Sequence, residues 1–111
     1  LEIKFLDYLN IPNDINYRQV LLSTNKKVDG FDPKTKTIYE FLGDYWHGNP
    51  EIFNELEYNK KCHKTFGELY KNTFDKFNKL KSLGYNIKYI WENDWKKFQN
   101  NLINKLKIIS Y

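Results

Sequence analysis

The sequence has few of the features that stabilise secreted or membrane-bound proteins. Cys62 is the only cysteine, so no intrachain disulfide can form, and we expect an intracellular location: cytoplasm, nucleus or the viral factory of a host cell. No apolar run is long enough to cross a bilayer and no signal-peptide pattern occurs, so we expect no membrane partner. Methionine is absent and the chain begins at Leu1, which suggests a single domain, residues 1–111, excised from a longer protein.

Arginine is also scarce, although the chain is basic. Arg18 is the only arginine, yet 18 Lys and Arg residues against 14 Asp and Glu residues give a net charge of +4. Basic side chains displace counterions from a phosphate backbone, so this balance favours a polyanionic partner. Because asparagine and lysine abound throughout, as a compositional bias of the genome would also produce, the charge is a mild indication only.

Hydrophobic periodicity predicts an α/β fold with the element order αβββαβα. The predicted helices span residues 1–10, 64–83 and 93–109, and the predicted strands span residues 17–23, 27–32, 37–43 and 85–92. Gly84 is the expected end of the long helix, and Asn93 or Asp94 the expected cap of the last one. Residues 48–61 are polar and are predicted as loop or irregular helix. Strands interleaved with helices predict a mixed sheet, a hairpin plus flanking strands, with helices on both faces.

Two acidic residues are predicted to face each other across that hairpin. If strands 27–32 and 37–43 pair about the turn at 33–36, Phe31 lies opposite Ile38 and Asp29 lies opposite Glu40, with Cβ atoms roughly 5 Å apart. Like charges at this separation destabilise a sheet, and a divalent cation would remove the repulsion. Mg²⁺ takes oxygen ligands, usually one or two carboxylates plus waters and a phosphate. A solvated face, or a bulge that shifts the register by one residue, remains an alternative explanation.

The segment after the second hairpin strand is unusually aromatic for a loop. Residues 38–50 (IYEFLGDYWHGNP) begin as a strand and continue beyond Gly43 with Tyr45, Trp46 and His47. A turn requires none of these side chains. Taken alone, the two aromatic residues would form a lid over the core and the histidine would be structural.

Together these motifs resemble the PD-(D/E)XK, restriction-endonuclease-like superfamily, and within it the very short patch repair endonucleases and their viral and homing-type relatives. The resemblance rests on Asp29 and Glu40 around a turn, the Gly-x-aromatic-Trp-His segment 43–47, and the Leu-Gly-aromatic segment 83–85 before a strand that ends in Trp91-Glu92. It covers about residues 27–95. It implies a restriction-endonuclease-like core and a metal-dependent DNA endonuclease that hydrolyses phosphodiester bonds, with nicking of one strand as one option.

The resemblance also implies roles for individual residues around a Mg²⁺ or Mn²⁺ ion. Asp29 would be the principal metal ligand and Glu40 the second acid, with the backbone carbonyl of Phe41 also facing the metal. His47 would lie near the attacking water or the scissile phosphate, and Glu2 would add a further acid to the metal site. The residues expected to contact nucleic acid are Tyr45, Trp46, Lys26, Lys27 and Asn49.

Two departures from the family pattern qualify these expectations. Leu42 occupies the position where the superfamily motif has a lysine, so His47 is the best candidate for that lysine's role. The repair enzymes also hold a structural zinc, and its ligand positions correspond here to Asp44, Asn49, Glu51 and Asn93, so we expect no such zinc. The alternative function is a nucleic-acid-binding module of the same fold with weakened catalysis. DNA is the expected partner, and a homodimer or a separate specificity domain would complete double-strand cleavage.

Overall fold

The structure is a computed structural model that describes residues 1–11 and 27–111. These ranges contain, in chain order, α1 (Glu2–Tyr8), β1 (Gly30–Asp32), β2 (Thr37–Leu42), α2 (Asp44–His47), β3 (Tyr58–Asn59), β4 (Lys64–Thr65), α3 (Phe66–Ser82), β5 (Asn86–Trp91), α4 (Glu92–Gln99) and β6 (Ile109–Ser110). The predicted strand 17–23 and the predicted nucleic-acid contact Lys26 lie outside the described residues. The predicted α/β class is confirmed.

A mixed sheet with the strand order β1-β2-β5-β6 forms the centre of the fold. β1 pairs antiparallel with β2, β2 parallel with β5, and β5 antiparallel with β6. Phe31 pairs with Ile38, so the hairpin register is the predicted one. A second, two-stranded sheet pairs β3 with β4. β3 lies within residues 48–61, predicted as loop or irregular helix, and β4 occupies the first two residues of the predicted helix 64–83.

Helices cover both faces of the central sheet because side chains alternate along β2 and β5. Ile38 and Leu42 on β2 pack with Phe77 and Leu80 of α3 on one face. On the other face, Ile90 of β5 packs in a cluster whose remaining buried members come from α1, the residue stretch after it, and α4: Phe5, Leu6, Ile11 and Trp95. Glu40 belongs to the row between Ile38 and Leu42, and it therefore faces α3.

The long helix α3 fits its prediction closely. Thr65 accepts a hydrogen bond from the Glu68 backbone N–H, and the Glu68 side chain accepts one from the Thr65 N–H, which completes a capping box. The helix ends before Gly84, whose φ of 97° is a left-handed conformation that favours glycine. Its buried stripe (Phe66, Leu69, Thr73, Phe77 and Leu80) places α3 along the sheet.

The predicted last helix is wrong in both its start and its length. α4 begins at Glu92 with Trp91 as its N-cap and ends at Gln99, so neither Asn93 nor Asp94 is the cap. Asn101 adopts a φ of 58°, which breaks the helix. Residues 109–110 pair instead with β5, because the edge of that strand offers backbone hydrogen bonds that a longer helix would leave unused.

Two shorter segments also differ from expectation. The first helix ends at Tyr8 rather than at residue 10. Residues Asp44–His47, expected to be a loop, form the single helical turn α2. Within the described ranges, none of the helices has both the length and the apolar character needed to cross a membrane.

Candidate functional site

Asp29 lies in a bend immediately before β1, and its carboxylate, rather than its backbone, forms the hydrogen bond to β2. Pairing of β1 with β2 covers Gly30–Asp32 only, so Asp29 is not in the ladder opposite Glu40 as predicted. Its Oδ2 instead accepts a hydrogen bond from the Phe41 backbone N–H at 2.8 Å. This bond turns the carboxyl group towards Glu40, so the two acids still meet.

Glu40 is an acid within the buried α3 face of the sheet. It is only 5% exposed, and its Oε1 lies 2.9 Å from the Nζ of Lys76 on α3. An ionised carboxylate at this depth needs a charged or hydrogen-bonding partner. The row Ile38–Glu40–Leu42 therefore holds one charged position between two core residues, and α3 supplies the compensating charge.

The carboxyl group of Asp29 makes side-chain hydrogen bonds with both Glu40 and Glu2. Burial raises the pKa of Asp29 well above its usual range, and the charge of Glu40 and a hydrogen bond with it act in the same direction. Hydrogen bonds from the Phe41 N–H and from Glu2 oppose this effect. Ionisation of both Asp29 and Glu40 is energetically unfavourable, so they require either a shared proton or a cation between them.

His47 is the last residue of α2 and is held by α3. Its Nδ1 lies 2.8 Å from the Oγ1 of Thr73, and the Thr73 hydroxyl donates to the Leu69 carbonyl at 3.0 Å. Because the hydroxyl has a single hydrogen, Nδ1 must be the donor and Nε2 carries the free lone pair. Burial, followed by the charge of Lys76, lowers the pKa of His47 to about 4. The low pKa favours a neutral ring at physiological pH, with Nε2 able to accept a hydrogen bond.

Lys76 is a charged residue of this site that the sequence did not predict. Leu42, at the position of the motif lysine, is 1% exposed and packs in the core. Lys76 brings an ammonium group to Glu40 from α3 and also donates to the Lys27 carbonyl at 3.0 Å. The sequence contains one indication of this position. Residues three apart on a helix are neighbours on its surface, so Lys76 lies next to the buried Thr73, at the border of the buried stripe of α3.

The aromatic residues of α2 occupy two different environments. Trp46 is 52% exposed, whereas Tyr45 contacts the rings of Phe53 and Phe66 at centroid distances of 5.9 and 5.7 Å. Gly48 makes this packing possible, since its φ is 65° and a Cβ atom there would lie 2.1 Å from the Phe66 carbonyl oxygen. Trp46 is therefore placed to meet a ligand, while Tyr45 anchors the helix.

Asn49, a predicted nucleic-acid contact, is only 1% exposed and makes its hydrogen bonds within the protein. Its amide donates to Asp44 Oδ1 at 2.8 Å, and the same oxygen accepts from the Asn93 backbone N–H at 3.3 Å. Its own Oδ1 accepts from the Glu51 backbone N–H. The four positions compared with zinc ligands are thus linked by hydrogen bonds that tie α2 to the start of α4. The absence of zinc itself stays a prediction.

A cleft of about 630 Å³ joins these groups. Its walls carry four acids (Glu2, Asp29, Glu40 and Glu92), two lysines (Lys27 and Lys76), Trp46 and His47. Glu92 is the first residue of α4, and its Oε1 accepts from the Asp44 backbone N–H at 3.2 Å. The cleft combines acids for a cation with basic groups for a phosphate.

Within residues 1–11 and 27–111, no group of three or more His, Cys, Asp and Glu side chains forms a ready-made metal centre. Mg²⁺ is usually bound by one or two protein carboxylates, with water and substrate phosphate as further ligands. The pair Asp29 and Glu40 suits that mode of binding, because burial and the charge of Glu40 raise the pKa of Asp29, and a cation between the two carboxylates would offset both effects. Glu2 could add an oxygen.

Comparison with known proteins adds no relative: no protein-family model, no curated protein and no solved structure matches this chain.

Proposed function

We propose that this protein is a Mg²⁺- or Mn²⁺-dependent DNA endonuclease with a restriction-endonuclease-like core. The observation that carries the proposal is the meeting of Asp29 and Glu40 in an open cleft, with Lys76 and His47 beside them. A buried pair of like charges destabilises a fold, so its presence beside basic groups favours a site built for a cation and an anion together.

Asp29 and Glu40 would hold the metal ion, and Glu2 lies close enough to join them. When bound, the ion would polarise a non-bridging phosphate oxygen, lower the pKa of a coordinated water and stabilise the leaving oxygen. The Phe41 N–H fixes the direction of the Asp29 carboxylate, and the ion pair with Lys76 fixes Glu40. Both acids are thereby oriented before the substrate arrives.

His47 accepts a hydrogen bond from the attacking water at Nε2 and orients it. Its low pKa makes it a weak proton acceptor, so positioning of the water is its main contribution. Lys76 places a positive charge beside Glu40, where the motif lysine would act, and stabilises the negative charge that develops on the phosphate. We assign the role of the missing lysine to Lys76 rather than to His47.

Exposed groups around the cleft suit a nucleic-acid partner. Trp46 is available for stacking, and Lys27 lies exposed at the rim. Three exposed lysines lie on the β3–β4 hairpin: Lys60 and Lys61 in its turn, and Lys64 at the start of β4. The buried Asn59 ties this turn to α2, because its amide donates to the Tyr45 carbonyl at 2.9 Å. We propose DNA as the substrate, an intracellular location, and a second copy or a specificity domain for double-strand cleavage.

Cleavage assays on duplex, nicked and branched DNA, with titration of Mg²⁺ and Mn²⁺, test the proposal. We expect Asp29→Ala to abolish cleavage while most DNA affinity remains, and Asp75→Ala, an exposed acid on α3, to cleave like the wild type. Absence of cleavage by the wild type on every substrate would refute the enzyme. Salt-dependent DNA binding without cleavage would instead support the binding module.

A further inference from the structure

A second cavity of about 250 Å³ adjoins the cleft on its α3 side. The two cavities share four lining residues: Glu40, Trp46, His47 and Lys76. Beyond that shared border, the second cavity is lined by two polar residues, Asn72 and Thr73, and by three apolar ones, Leu42, Leu69 and Phe77. The three apolar residues are at least nine-tenths buried, so the apolar part of the cavity wall belongs to the core.

The chemistry of the second cavity differs from that of the cleft. The cleft has acids and lysines for a metal and a phosphate, whereas the second cavity has an apolar floor and the exposed ring of Trp46 at its border. Asn72 adds a side-chain amide, which offers a hydrogen-bond donor and an acceptor. A ligand suited to both cavities would place an anionic group in the cleft and a flat, largely apolar ring with polar edges in the second cavity. A nucleotide has both of these parts.

The volume limits the ligand to one ring system. Pockets for drug-sized molecules span roughly 300–1,000 Å³, so a cavity of about 250 Å³ accepts a single base and excludes a base pair. A base inside a paired and stacked duplex cannot enter unless it leaves the helix. Extrusion costs least when the base is already unpaired or mismatched.

We propose that this cavity receives one unpaired base next to the scissile phosphate, and that the substrate is DNA with an unpaired nucleotide at the cut, such as a bulge, mismatch or single strand. The proposal rests on the proposed function, because the cleft must hold the phosphate. Trp46 stacks on the neighbouring base, and Asn72 contacts the polar edge of the extruded base. A fully paired duplex leaves the cavity empty and loses these contacts.

Equilibrium binding of DNA that carries 2-aminopurine tests the base pocket separately from cleavage. The probe is placed in a single-nucleotide bulge or in the matching paired duplex, with Ca²⁺ to supply the divalent charge. We expect bulged DNA to bind about 5- to 150-fold more tightly, the range given by base stacking on aromatic side chains. Cleavage of both DNAs is then measured with Mg²⁺ or Mn²⁺.

Two variants obstruct the cavity by different routes. Asn72→Trp covers its mouth from an exposed helix position, and Leu69→Phe fills its floor. Asn78→Trp is the matched control, since Asn78 is exposed on the same helix and does not line the cavity. Both obstructing variants are expected to bind bulged and paired DNA within twofold of each other, and the control keeps the wild-type preference. Circular dichroism identifies any variant that fails to fold. If Leu69→Phe does not fold, the binding result for Asn72→Trp tests the proposal.

The outcomes separate the two proposals. Equal binding of bulged and paired DNA by the wild type overturns the base pocket, whether or not the protein cleaves. A preference for bulged DNA that survives in folded Asn72→Trp also overturns it. A preference that Asn72→Trp abolishes, without cleavage under any metal condition, supports the pocket and refutes the nuclease.

Discussion

Replacement of Lys76 by methionine separates its two contributions, to stability and to catalysis. Methionine keeps much of the length and the apolar stem of lysine but removes the ammonium group that lies 2.9 Å from Glu40. Glu40 would then be a carboxylate with a side chain only 7% exposed and no ion-pair partner on α3. Lys79→Met, at an exposed position one turn further along the helix, controls for the loss of a positive charge.

The expected stability loss follows from the burial of the two partners. Breaking a fully buried ion pair costs about 3–5 kcal/mol, but the Lys76 side chain is 30% exposed, so we expect about 1–3 kcal/mol. The loss comes from the stranded charge on Glu40. The double variant Glu40→Gln/Lys76→Met removes that charge and should therefore recover most of the stability without recovering activity.

The expected catalytic loss is larger than the stability loss would suggest. Removal of a group that stabilises transition-state charge lowers the rate by about 10²- to 10³-fold. Single-turnover cleavage with Mg²⁺ at saturating enzyme measures this effect, and urea denaturation measures stability. If folded Lys76→Met cleaves within twofold of Lys79→Met, Lys76 does not replace the motif lysine, and the reasoning fails.

Three further predictions concern the other groups of the cleft. In metal-free buffer Asp29→Asn should raise the melting temperature, because it replaces a carboxyl group whose ionised form is destabilised by burial and by the charge of Glu40. No gain, or a retained stabilisation by Mg²⁺, would contradict the metal site. The pKa of His47 falls to about 4 in the folded protein. The stability of the wild type relative to His47→Gln should therefore be constant above pH 6.5 and decline by about 1–3 kcal/mol as the pH falls from 6.5 to 4. If urea denaturation gives the same stability difference between the two proteins at every pH, His47 is not desolvated. Trp46→Ala should weaken DNA binding about 5- to 150-fold, because it removes a ring on which a base can stack. The free energy of unfolding should change by less than about 1 kcal/mol, because Trp46 is 52% exposed. Unchanged affinity in fluorescence titrations would exclude stacking.

The central elements of the fold were predictable because their patterns are local. The apolar stripe of α3 and the apolar runs of β2 and β5 depend on residues close in sequence. The end of α4 was not predictable in this way. Leu102, Leu106 and Ile109 continue its helical spacing, yet residues 109–110 pair with β5, a strand that ends eighteen residues earlier. Tertiary pairing outweighed a local pattern.

Part of the site was predictable for the same reason. Phe31 pairs with Ile38, so the hairpin register brought Asp29 near Glu40, although the ladder stops before Asp29. The contact of Lys76 with Glu40 joins residues 36 positions apart and depends on how α3 docks on the sheet. The spacing of residues within one helix does not determine how that helix packs on the sheet. From the sequence alone, Lys76 therefore could not be distinguished from an ordinary surface lysine.

The docking of α3 also explains how the cleft has a positive charge although position 42 is a leucine. Lys76 reaches Glu40, and Thr73, less than one turn before it, holds the Nδ1 of His47. Both polar contacts therefore depend on one rigid helix, which Phe77 and Leu80 fix against the sheet. A lysine at position 42 would have to displace a buried leucine from this same packed surface. Supplying the charge from α3 keeps the core intact, and it leaves the apolar floor of the second cavity, formed by Leu42, Leu69 and Phe77, beside the proposed scissile phosphate.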